Sequence, residues 1–152
     1  MNLLKKSCIV LLGVCVVAAG GIVSRHMIKK IPVFKSDNKK IIVIDPGHGG
    51  SDSGATYNGR QEKDDALRMA MAVGDLLKNA GFDVVYTRTT DVYNTPFEKA
   101  TIGNEAGGDL FVSFHRNSSP TPNTYGGVQA LVYNDSGFKG TLARNINENL
   151  VA

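Results

Sequence analysis

Histidine is scarce in this sequence, with only His26, His48 and His115 among 152 residues. Two of the three stand in settings where an imidazole could do chemistry. His48 lies in Asp45-Pro46-Gly47-His48-Gly49-Gly50 and His115 in Ser113-Phe114-His115-Arg116-Asn117, each directly after a short apolar run that reads as a strand. Glycines on both sides of His48 remove side-chain bulk and let the backbone bring the ring close to a bound ion. Glu62 stands at the start of a predicted helix, before its apolar face begins. Two imidazoles and one carboxylate make the ligand set of a catalytic zinc ion with an open fourth position. Such an ion acidifies water and polarises a carbonyl, so an amide can be hydrolysed without a nucleophilic side chain. Each residue also has an ordinary reading: a lone histidine is often structural, and a first-turn glutamate commonly serves the helix dipole. The three are far apart in sequence and form no compact His-Glu-x-x-His pattern. His26 sits in a polar flank and reads as a solvated residue.

The elements that must position these groups follow from periodicity. Residues 41–44 are a β-branched run stopping at Asp45-Pro46-Gly47, as a buried strand ends at a turn. Residues 51–61 read as a Gly-, Ser- and Asn-rich loop. Ala66, Met69, Ala70, Val73, Leu76, Leu77 and Ala80 recur at helical spacing, with Gly81 where a helix would stop, predicting a helix over 62–80. Further strands are expected over 82–87, 109–115 and 127–133, and helices over 96–106, with proline in the first turn, and 140–150. Alternating strands and helices predict an α/β fold, an open twisted sheet with helices packed on it. In such sheets adjacent strand ends converge on one crevice, which is where His48 and His115 are expected to meet.

Composition bounds the rest. No charged residue occurs from residue 7 to 23, and Lys5 and Lys6 precede that apolar run. Residues 1–25 therefore read as a signal peptide, with Val17-Ala18-Ala19 as a cleavage region, or as a membrane anchor, and 26–40 as a linker to a domain over 41–152. Residues 1–40 hold eight Lys or Arg against the single acid Asp37, while the remainder holds nine basic and thirteen acidic side chains, a balance of −4. The basic character belongs to the membrane flank, and a nucleic-acid role loses its electrostatic support. Both cysteines, Cys8 and Cys15, lie in the apolar segment, so the domain offers neither a disulfide nor a thiolate metal site.

Several motifs in order resemble the zinc-dependent N-acetylmuramoyl-L-alanine amidases of the bacterial cell wall, the amidase type 3 family. Ile-Asp-Pro-Gly-His-Gly-Gly at residues 44–50 resembles that family's opening strand and first zinc histidine, and Glu62-Lys63-Asp64 its glutamate at a helix start. Thr87-Arg88 with Asp91, the stretch from Asn104 through Asp109-Leu110-Phe111-Val112-Ser113-Phe114-His115, and Gly127-Val128 match later segments. The resemblance implies one zinc ion held by His48, Glu62 and His115. It also implies cleavage of the amide between N-acetylmuramic acid and L-alanine of the stem peptide, in peptidoglycan outside the cytoplasmic membrane. It further implies a general-base glutamate on a later strand, beyond Ala152, so that the last helix and strand of the family fold are missing from these residues. Glu148, in the helix-like Asn145-Ile146-Asn147-Glu148-Asn149, reads as a surface residue instead. On that basis the 152 residues are expected to bind zinc but hydrolyse poorly, and the alternative is a zinc-containing wall-binding or regulatory remnant. Arg116 departs from the small residue common after the second histidine; Arg116 and Asn117 are read either as a solvated loop or as contacts to a stem-peptide carboxylate.

Overall fold

A computed structural model describes residues 39–150 other than 120, 122, 123 and 125. The expected signal or anchor segment over 1–25 lies outside the described residues, as does nearly all of the 26–40 linker. No helix among the described residues is long and apolar enough to cross a membrane. The chain divides into two units, Met1–Arg116 and Asn117–Ala152.

The first unit is built on the strand β1 (Ile41–Pro46), which lies at the centre of a three-stranded parallel sheet. On one side it pairs with β4 (Asp83–Tyr86), and on the other with β5 (Leu110–Phe114). Ile42, Val43, Ile44, Asp45 and Pro46 are all buried, as a strand covered on both faces requires, which is why the run is continuously apolar up to Asp45. The helix α1 (Glu62–Asn79) connects β1 to β4, and its Ala70 packs with Ile42 and Ile44 in the core. Val73, Leu77, Phe82, Val84, Leu110 and Val112 complete that layer. Tyr86 also fits against α1, because Gly74 leaves its phenol room that any β-carbon would occupy.

The opposite face of the sheet is covered by α2 (Pro96–Glu105), where Gly103 sets its backbone against the Phe111 ring and Val43. This helix starts with a full capping box: Thr95 Oγ1 accepts from the Glu98 amide at 3.2 Å, and Glu98 Oε2 accepts from the Thr95 amide at 2.7 Å. The chain thus winds from β1 outward to β4, then returns across β1 to β5. That reversal opens a crevice at the C-terminal ends of β1 and β5, the strands that lead into His48 and His115.

Two expectations are corrected. The loop over 51–61 contains a small hairpin, β2 (Thr56–Tyr57) against β3 (Arg60–Gln61). Its two-residue turn is Asn58-Gly59, with φ of 49° and 75°, the pairing that a tight hairpin with both central residues left-handed requires. The strand expected over 127–133 does not form among the described residues. Leu131 and Tyr133 are exposed there, and a run of strand-prone residues without a partner has no ladder to join. The second unit has one described helix, α3 (Gly137–Leu150), and within that unit the Ala130 amide donates to Asn147 Oδ1 at 3.0 Å.

Candidate metal centre

The turn after β1 is held by buried charge before it reaches His48. Asp45 accepts hydrogen bonds from Thr87 Oγ1 and Ser113 Oγ, both at 2.6 Å, and pairs with Lys99 Nζ at 2.9 Å. Lys99 also donates to the Pro46 carbonyl at 3.2 Å. Arg88, only 3% exposed, pairs with no carboxylate among the described residues; its guanidinium donates to the carbonyls of Pro46, Gly47, Lys63 and Thr90 at 2.8–3.1 Å. Burial pushes the Arg88 pKa below its ordinary value, against the pull of Asp91, Asp45 and Asp64. Those carbonyl contacts fix the two peptides that precede His48.

His48 itself adopts a left-handed backbone, φ 59°, between residues that must turn tightly. Gly49 and Gly50 continue with positive φ, and a β-carbon on Gly49 would collide with the Val92 carbonyl. The Gly50 amide donates to Asp91 Oδ1 at 2.7 Å, while Lys63 Nζ bridges Asp91 Oδ2 and the Gly50 carbonyl at 2.7 and 2.8 Å. The turn therefore presents the imidazole in one orientation. Its Nδ1 faces Asp52 Oδ2 at 2.8 Å. A carboxylate can only accept, so Nδ1 carries a proton, which leaves Nε2 as the nitrogen that would ligate an ion. The hydrogen bond from His48, with that from the Gly54 amide, holds the Asp52 carboxyl below the usual carboxylate range.

Glu62 is the first residue of α1 but does not cap it. The first-turn amides of Glu62 and Lys63 are satisfied by the carbonyls of Ala55 and Ser53. The carboxylate, in a side chain 3% exposed as a residue, turns towards the two imidazoles. Its Oε2 accepts from the Ala55 amide at 2.8 Å and its Oε1 from the Arg116 amide at 2.7 Å. Burial alone would push this carboxyl up; the two amides, with His48 and His115 alongside, more than offset it and hold the group below its ordinary value. Glu62 is therefore an anion at neutral pH.

His115 follows β5 directly. Gly47 makes its position possible: the Gly47 amide donates to the Phe114 carbonyl at 2.9 Å, and a β-carbon on Gly47 would lie 2.5 Å from His115 Cε1. The two rings meet edge to face with centroids 4.8 Å apart. Their facing nitrogens, His48 Nε2 and His115 Nδ1, are 3.2 Å apart, and lie 3.0 and 3.1 Å from Glu62 Oε1. Tetrahedral zinc, with ligands about 2.0–2.1 Å from the ion, sets those ligands about 3.3 Å from one another. The three sides of this triangle fit that requirement, and the donors are the nitrogen and oxygen types zinc prefers. Gly54 lines the same cradle, where a β-carbon would strike His48 and Glu62. His48, Glu62 and His115 are the metal-capable group found among the described residues.

The structure gives Arg116 a role beside the two readings taken from sequence. Its Nη1 pairs with Asp65 Oδ2 at 2.6 Å and its Nη2 donates to the Ala55 carbonyl at 2.9 Å, bracing the segment whose amide binds Glu62. Asn117 is exposed, with Nδ2 3.5 Å from Gln129 Oε1. Lys99 and Arg88 were not singled out individually in sequence as supports for the turn; a helical lysine and an arginine after a strand look like surface residues until their burial is known. From the imidazoles a cleft of about 600 Å³ runs over β1 and α2, floored by Val43 and Phe111 and walled by Tyr93, Asn94 and Lys99.

A doubly wound α/β unit with two strand-end imidazoles and a helix-start carboxylate on one open triangle has the build of a metal-dependent hydrolase. The family model for N-acetylmuramoyl-L-alanine amidase matches residues 42–152, and the chain belongs to that family. It is 34% identical over 115 residues to the N-acetylmuramoyl-L-alanine amidase AmiA of Salmonella typhimurium, covering 75% of this chain and 39% of that protein. To the sporulation-specific N-acetylmuramoyl-L-alanine amidase of Bacillus subtilis it is 41% identical over 102 residues, 66% of this chain and 38% of the relative. Among solved structures it is similar to the CwlD amidase from Clostridioides difficile in complex with the GerS lipoprotein, with a TM-score of 0.57, 29% identity, and coverage of 74% of this chain and 65% of that one. The catalytic domain of the amidase CwlV from Bacillus (Paenibacillus) polymyxa var. colistinus gives a TM-score of 0.54 at 35% identity, covering 56% and 49%. The chain spans about two fifths of the length of these curated relatives.

Proposed function

We propose that the domain over residues 41–152 serves a peptidoglycan hydrolase that cuts the amide between N-acetylmuramic acid and the L-alanine of the stem peptide. The observation that carries this reading is the triangle of His48 Nε2, Glu62 Oε1 and His115 Nδ1, with sides of 3.0–3.2 Å, in a chain of this family. The ion these residues would hold is one zinc, which when bound supplies a Lewis acid that polarises a carbonyl and acidifies water. Asp52 accepts from His48 Nδ1 and so directs Nε2 to the ion, and the amides of Ala55 and Arg116 keep Glu62 ionised. The apolar cleft beside the imidazoles can take the part of the substrate on one side of the scissile bond and exclude water from it.

The family resemblance assigns the proton-accepting glutamate to a later strand, while His48, Glu62 and His115 would hold the ion. A substrate outside the cytoplasmic membrane agrees with the apolar run over 7–23, and the reading places the domain on the outer side, secreted or tethered. Arg116 lies beside the metal group as a brace, and Asn117, next in sequence, is a candidate contact to the peptide.

Mass spectrometry of purified muropeptides incubated with the zinc-loaded protein tests the assignment. The expected products are a stem peptide with a free L-alanine amine and a glycan with a free lactyl carboxylate, formed only while zinc is present. Cleavage of a glycosidic or inter-peptide bond would contradict it. Zinc retention with no cleavage at all would favour the wall-binding alternative.

A further inference from the structure

Three guanidinium groups converge on one carboxylate beside the metal group. Asp65 Oδ2 lies 2.7 Å from Arg60 Nε and 2.6 Å from Arg116 Nη1, and Asp65 Oδ1 accepts from Arg68 Nη2. Three positive charges face one negative charge. Asp64, exposed next to Asp65, forms no ion pair with these arginines among the described residues. The hairpin, the first two turns of α1 and the residue after His115 each contribute one cation, so the cluster is set by the same elements that build the metal centre.

The arginines differ in what they still offer. Arg116 is committed inward, to Asp65 and to the carbonyls of Ala55 and Arg60, while its amide binds Glu62. Arg60 and Arg68 stand out to solvent, with side chains 66% and 69% exposed. Both terminal nitrogens of Arg60, and Nε and Nη1 of Arg68, have no partner among the described residues. Like charges gathered in excess repel, and a second anion relieves that repulsion. A planar fork with paired N–H groups matches a carboxylate better than it matches a point acceptor.

Position identifies which carboxylate. Glu62 and Asp65 are three residues apart on α1, so they share one helix face with β-carbons about 5–6 Å apart. A peptide leaving the metal group in extended form advances about 3.3 Å per residue, so a carboxylate on its second or third residue can span the single helix turn that separates Glu62 from Asp65. On the other side of the imidazoles the cleft is mostly apolar, and its lysine is already paired with Asp45.

We propose that Arg60 and Arg68 form a subsite for a free carboxylate of the peptide whose amide lies at the metal centre, with Asp65 and Arg116 bracing the two arginines. This rests on the reading of the substrate as a peptide-bearing amide. The test is a titration of the zinc-loaded protein with a synthetic L-alanyl peptide carrying free carboxylates, with its carboxamide counterpart, and with inorganic phosphate. The carboxylate peptide should bind roughly tenfold more tightly than the carboxamide. Arg60→Gln with Arg68→Gln should erase that difference with zinc content unchanged, and Lys at both positions should restore only part of it. Equal affinity for both peptides, or phosphate competing as well as the carboxylate peptide, would overturn the subsite. Discrimination between acid and amide together with no peptide release from the muropeptides would leave the subsite standing and count against the hydrolytic reading alone; release from the muropeptides without discrimination would do the reverse.

Discussion

Both ends of β1 are tied down by pairs of opposite charge, yet the two ends are built differently. At its N-terminal end Lys40 Nζ meets Asp109 Oδ1 at 2.7 Å and the Ile41 amide donates to Asp109 Oδ2 at 2.9 Å, all in solvent. At its C-terminal end Asp45, Lys99 and Arg88 are buried, and what they hold is the pair of peptides leading into His48. A charge in solvent is screened and adds little, whereas a buried one must be fully satisfied and fixes whatever satisfies it. The same strand therefore has an anchor at one end and a positioning device at the other. Substitutions at the two ends should separate accordingly.

The largest effect is expected at Arg88. Arg88→Gln removes the donor to the Gly47 and Lys63 carbonyls inside the protein, so a loss of about 3 kcal/mol or more is expected in urea unfolding, with weaker zinc binding. Undiminished stability would show that the guanidinium is not what holds the turn. Next comes Gly47→Ala, whose β-carbon meets His115 and the Phe114 carbonyl; about 1–3 kcal/mol and a displaced ligand are expected, visible as a changed absorption spectrum of the cobalt-substituted protein. Asp52→Asn should leave the urea midpoint nearly unchanged, because its Oδ1 can still accept from the Gly54 amide, but weaken zinc affinity about 10–100-fold through the orientation and basicity of His48.

At the far end of β1 the expected effect is smallest. The Lys40 ammonium, and then the Ile41 amide, hold the Asp109 carboxyl below the usual range. A depressed folded-state pKa stabilises above the unfolded-state value, and that contribution is lost as pH falls through the folded-state value. Asp109→Asn should thus lower the urea midpoint slightly at about pH 7, and that difference should shrink as pH falls below about 4 and through the folded-state value. A shift as large as that of Arg88→Gln would erase the distinction between the two ends.

How much of this was legible in the sequence follows from the same contrast. β1, α1, β4, α2 and β5 announce themselves because they bury continuous or periodic apolar faces, and the structure moves their limits by one or two residues. The convergence of His48 and His115 follows from strand ends in a parallel sheet, and the structure puts Glu62 with them. Hairpins this short bury too little to leave a pattern; only Asn58-Gly59 signalled this one. The 127–133 segment shows the opposite failure, since its apolar residues suit a strand but pairing depends on a partner that residue types do not specify. The clustering of Arg60, Arg68 and Arg116 on Asp65 could not be foreseen, because it joins a hairpin, a helix and a strand end through side chains that each look like ordinary surface charge.

The metal centre is the claim on which the rest depends, and zinc stoichiometry measures it most directly. Metal analysis after dialysis against a weak chelator should give about one zinc per chain for the unaltered protein. His48→Ala, Glu62→Ala and His115→Ala should each lose it, while His26→Ala should not. Zinc that stays bound in those three variants, or an unaltered protein that binds none, would contradict the account.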